Sequence, residues 1–131
     1  MSPSGDRLLT VGHDQDGLAV HRVADGSVVA GLDADVLPPH PAVGEGTTDD
    51  EAQAFFDHEG GFVDENVLVV GTVESDAEFG TGRHWLVDAV HVRLIDRIAY
   101  PFEVTGLPRA LGDGTWYTAS PVDHALHVWA P

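Results

Sequence analysis

Ala125-Leu126-His127-Val128-Trp129-Ala130-Pro131 echoes two earlier stretches, Gly17-Leu18-Ala19-Val20-His21-Arg22-Val23 and His84-Trp85-Leu86-Val87-Asp88. Each is a short apolar strand introduced by a polar turn. The first two are followed by a second turn and a further strand. Repetition of one strand–turn–strand unit predicts an all-β chain of antiparallel meanders before any single side chain is weighed.

Outward from these repeats, turn residues separate the strands. Leu8–His13, Leu18–Val23 and Ser27–Leu32 read as three strands, joined by Asp14-Gln15-Asp16-Gly17 and the hairpin-type Asp25-Gly26. Val67-Leu68-Val69-Val70-Gly71-Thr72-Val73 is the clearest buried strand. Phe62-Val63 starts a strand before it, and 84–88 and 94–100 follow. Thr115–Ala119, behind Asp113-Gly114, and Ala125–Trp129 complete the pattern. The expected core is Leu9, Val11, Val20, Val29, Leu68, Val70, Leu86, Ile98, Trp116, Leu126 and Trp129.

Residues 33–61 break this rhythm. Pro38, Pro39, Pro41, Gly44 and Gly46 read as loop. Thr48-Asp49-Asp50-Glu51 then fits a capping box, and acidic residues in a first turn suit the helix dipole. Ala52, Phe55 and Phe56 give one apolar face, and Gly60-Gly61 reads as a stop. The expectation is one short inserted helix near 49–58. It packs over a sheet edge or offers Asp49, Asp50, Glu51, Phe55 and Phe56 to a partner, since loops on rigid scaffolds carry function.

The units resemble blades of WD-repeat-type β-propellers, in which a third strand ends near a Trp-Asp pair before a turn and a fourth strand. Asp16–Leu32 resembles the third strand, turn and fourth strand, with Arg22 in the Trp place. Trp85-Leu86-Val87-Asp88 and His127-Val128-Trp129-Ala130 resemble the third strand of two further units. Asp88 and Ala130 lie 42 residues apart (130 − 88), within the roughly 40–45 of such blades. No unit carries both Trp and Asp. The resemblance implies a single domain, residues 1–131, of two to three blades, with units about 6–32, 62–101 and 108–131 and an insertion at 33–61. A propeller closes with four to eight blades, so fewer leave unpaired sheet ends, and self-association into a homo-oligomer is expected. A small β-sandwich or barrel is the alternative fold.

Charge narrows the partners. Six arginines, no lysine and 22 carboxylates give a net charge of −16, which repels nucleic acid and anionic membranes. No stretch nears the roughly 20 apolar residues of a membrane span. Met1–Arg7 lacks a basic start and apolar core, so no secretory signal is expected. The chain has no cysteine, which removes disulfides and thiolate ligands, and a cytoplasmic location is the default. Ala, Val, Asp and Gly richness with Arg in place of Lys resembles the products of GC-rich bacterial genomes.

Eight histidines raise the question of metal. His124 and His127 fall on opposite faces of a strand, and Asp57-His58-Glu59 fan out on a helix. His13 with Asp14 and Asp16 lacks the frame of an EF-hand loop. Ser120 near Asp123 and His124 has no Gly-x-Ser-x-Gly elbow. Gly80-Thr81-Gly82 is too short for a phosphate loop. Catalytic, cofactor and metal residues are therefore not assigned. The expected function is a non-enzymatic protein-interaction module or scaffold, its acidic face meeting a basic partner. The alternative is a metal- or small-ligand-binding domain, or an enzyme using histidines and carboxylates.

Overall fold

Ten strands build three antiparallel meanders in the computed structural model, which describes residues 1–39, 54–74 and 82–131. The first sheet runs β1 (Arg7–Val11), β2 (Gly17–Arg22), β3 (Val28–Asp33). The second runs β4 (Ala54–Phe62), β5 (Val67–Glu74), β6 (His84–Asp88), β7 (Arg93–Arg97). The third comprises β8 (Thr105–Ala110), β9 (Trp116–Ala119) and β10 (Leu126–Trp129), with β9 in the middle. The described residues are all-β apart from one 3-10 turn at Ala34–Val36, and the three sheets stay open rather than closing into a barrel.

Turn chemistry sets these hairpins. Gly26 takes φ +71°, and Asp25 Oδ1 accepts from the Ser27 N–H at 2.9 Å, locking the β2–β3 turn. Asp64 does the same between β4 and β5, accepting from the N–H groups of Asn66 and Val67. Pro108 lies in β8, an edge strand whose register slips between Thr105 and Arg109. Only such a position tolerates a residue without an N–H.

The middle sheet is covered on both faces, which is why β5 reads as an unbroken apolar run rather than an alternating one. On one face Phe56, Phe62, Leu68, Val70, Trp85 and Val87 pack against Leu18 and Val20 of the first sheet, with Leu9 and Val11 at the margin. On the other face Val63 and Val69 meet Trp116, flanked by Leu86, Ile98, Ala110 and Trp129. β4 contacts β1 on one side and β8 on the other. The first strands of the three meanders thus form one row, β1–β4–β8.

The inserted helix is corrected by β4. Residues 54–58 are strand, with Ala54 and Phe56 buried at period two. The glycines read as a helix stop serve close packing instead. A Cβ on Gly60 would stand 3.0 Å from the Val69 carbonyl oxygen, and one on Gly61 would stand 3.0 Å from the Ala110 Cβ. Burial of Phe56 and Phe62 in the core holds residues 54–62 as strand. Thr48 to Ala52 lie outside the described residues. Leu126 is also corrected. It is 65% exposed, because β10 turns His127 and Trp129 inward and Leu126 and Val128 outward. Val20, Leu68, Val70 and Trp116 are buried, and Leu9, Val11, Val29, Leu86, Ile98 and Trp129 are half-buried against the two clusters.

Candidate functional site

The densest polar constellation sits where the middle and last sheets meet. His84 opens β6, Tyr100 follows β7, Trp116 opens β9 and Gly106 lies in β8. Trp116 Nε1–H donates to the Tyr100 hydroxyl oxygen at 3.0 Å. His84 Nε2 lies 3.0 Å from the Gly106 carbonyl, which can only accept, so the proton sits on Nε2. Nδ1 is then an acceptor, and the Tyr100 hydroxyl 2.8 Å away donates to it. Donors and acceptors run in one direction from Trp116 to Gly106, and each of these groups is satisfied.

Burial tunes both titratable members. It holds the His84 pKa below the ordinary histidine value, the Gly106 hydrogen bond opposing. It pushes the Tyr100 phenol up to about 12, the Trp116 donor opposing. The relay is therefore neutral at pH 7.

Aromatic rings cover its outer side. Tyr100 and Trp129 have centroids 4.9 Å apart, Phe102 and Trp129 5.4 Å, and Phe102 and His127 4.7 Å. Trp129 Nε1 donates to Thr118 Oγ1 at 2.8 Å. An open cleft of about 740 Å³ lies beside this cluster, with Asp96, Arg97, Tyr100, Phe102 and Glu103 in its lining. Its walls mix aromatic faces with both signs of charge. On its inner side the Arg83 guanidinium is buried, donates to the Pro38 carbonyl at 2.7 Å and lies over the Trp85 ring.

The residues proposed from sequence as a partner surface do not gather here. Phe56 is fully buried in the first cluster, so its place as a contact residue is corrected to core. Phe55 is half-buried on the other face of β4. Asp49, Asp50 and Glu51 lie outside the described residues. Among the described residues no three His, Asp or Glu side chains converge as metal ligands. Ser120 is tied into a turn: its hydroxyl bonds to Asp123, whose carboxyl is held below the usual carboxylate range first by the Ala125 N–H and then by Ser120. Asp88 is likewise held low by the His91 and Val90 N–H groups and the His91 ring.

Sequence reasoning placed Trp116 and Trp129 in the core and missed the relay. His84, Tyr100 and Trp116 stand 16 residues apart in succession, a spacing with no local periodicity. Searches against family models, curated proteins and solved structures return no match.

Proposed function

We propose that the chain is a non-enzymatic protein-interaction module, a scaffold of three blade-like sheets forming part of a β-propeller-like arc. The row β1–β4–β8 is the observation that carries this reading. Successive meanders set side by side through their first strands are what a propeller arc requires. The outer edges β3, β7 and β10 then point away from the row. A net charge of −16 favours a basic protein partner and disfavours nucleic acid and anionic membrane. Among the described residues no helix is long and apolar enough to cross a membrane. We place the work of the module in the cytoplasm.

Two measurements separate this from a metal- or ligand-binding domain. Metal analysis of the purified protein is expected to find no stoichiometric transition metal, and one metal per chain would overturn the reading. A basic protein that co-purifies with the chain should rebind it after separate purification, more weakly as salt rises. Failure of every purified candidate to rebind counts against a basic partner.

A further inference from the structure

β10 turns two large apolar side chains to solvent. Trp129 turns toward the middle sheet, while Leu126 and Val128 turn outward at 65% and 63% exposure. Ala119 and Tyr117 of β9 are their cross-strand partners and share that outward face, with Arg109 opposite Tyr117. None of these five residues is itself a carboxylate, in a chain that has 22, and the one charge among them, Arg109, is paired with Glu59 of β4. A solvated face of an antiparallel sheet normally carries polar side chains, so an apolar outward face reads as one that packs against a partner. At the opposite end of the row, Leu8, Ala19 and Val28 face outward from the first sheet. Leu8 is 40% and Val28 59% exposed, and the polar pair between them, Thr10 and His21, is self-satisfied at 2.8 Å.

We propose that two copies of this chain close on each other, the outward face of β8–β10 in one copy packing on the outward face of β1–β3 in the other, and reciprocally. The inference rests on the arc reading above. The middle sheet packs on the first sheet with one face and on the last with the other. The two uncovered faces are thus the two missing halves of a seam this chain already makes twice internally. A two-fold axis makes that seam twice more and leaves no face open.

Area favours the closed pair over an open series. Three strands at roughly 4.8 Å by about five residues at 3.4 Å give about 240 Å² per face. A closed pair covers four faces, on the order of 1,000 Å², which is the threshold for a specific interface and belongs to the small, weak class. A single head-to-tail seam covers half of that and falls short. Repulsion between two chains at −16 opposes the pair and is screened by salt.

The test is sedimentation equilibrium of the whole chain at low and high salt. The expected species has twice the 13.9 kDa chain mass and tightens as salt rises. Leu126→Arg with Val128→Arg on one face, and Leu8→Arg with Val28→Arg on the other, should each weaken the pair at least tenfold with an unchanged circular dichroism spectrum. Should a double variant lose its sheet signal, the single changes Val128→Arg and Val28→Arg replace it. A wild-type monomer at both salts, a ladder of larger species, or a dimer that survives either pair of changes overturns the inference. A monomer that keeps β4 against β8 removes this inference alone, whereas loss of that contact removes the arc reading too.

Discussion

Gln15 and Phe56 exchange two hydrogen bonds: the Phe56 N–H donates to the Gln15 carbonyl at 2.9 Å, and Gln15 Nε2 donates to the Phe56 carbonyl at 3.0 Å. The β1–β2 turn thereby acts as a short extra strand for the edge of β4. Gln15 adopts φ 60° to do so, a left-handed conformation that costs a non-glycine residue about 1–2 kcal/mol.

Gln15→Ala should therefore destabilise the fold by about 1–2 kcal/mol, because the Phe56 carbonyl loses its donor. Gln15→Gly loses the same bond but relieves the backbone strain, and should be closer to neutral. Urea midpoints of the two variants check this. Equal losses would mean that the backbone conformation at residue 15 carries no strain.

Phe56→Ala should cost about 3–5 kcal/mol, since the ring is fully buried between the first two sheets. Leu126→Ala should stay within about 0.5 kcal/mol in the monomer. Trp129→Ala falls between, near about 3 kcal/mol, because its half-buried indole packs on Tyr100 and Phe102 and donates to Thr118. Chemical denaturation of the three variants gives the order directly.

Stability should depend on pH through His84. Its folded pKa is depressed, so the unfolded chain binds the proton more readily. The contribution is full above the ordinary histidine pKa of about 6.5 and is lost as pH falls below it. A second fall begins below the ordinary carboxylate range, as Asp88 and Asp123 take up protons against their N–H donors. His84→Gln should remove the first fall and leave the second. Melting temperatures between pH 8 and pH 3 test this, and an unchanged first fall in the variant would contradict it.

Tyr100→Phe removes the acceptor of Trp116 Nε1 and the donor to His84 Nδ1 together. A loss of about 1–3 kcal/mol is expected for the unpaired groups. The same change should abolish a tyrosinate absorbance step near pH 12. Survival of that step would place the raised phenol elsewhere.

Much of the strand pattern was legible because its signals are local. Asp25-Gly26 and Asp113-Gly114 mark turns through their own backbone, and the 67–73 run announces burial by composition alone. β4 was not legible. Gly60 and Gly61 matter because of Val69 and Ala110, and nothing near residue 60 in sequence says so. The helix pattern read from Thr48 and Glu51 was carried on to residues 54–58, where the buried Phe56 sits on a strand. The relay failed for the same reason: His84, Tyr100, Trp116 and Gly106 meet only once two sheets have packed. Leu126 was misread because alternation fixes which residues share a face but not which face is covered.

The row β1–β4–β8 is tested most directly by nuclear Overhauser contacts in the unmodified chain. A Gly61 Hα should show a cross-peak to the Ala110 methyl, and Gly60 Hα one to a Leu9 methyl, since a Cβ at these glycines would lie 3.0 Å and 3.4 Å from those carbons. Both cross-peaks are the predicted result. Their absence, with all four residues assigned, would mean that the three meanders do not stand side by side through their first strands.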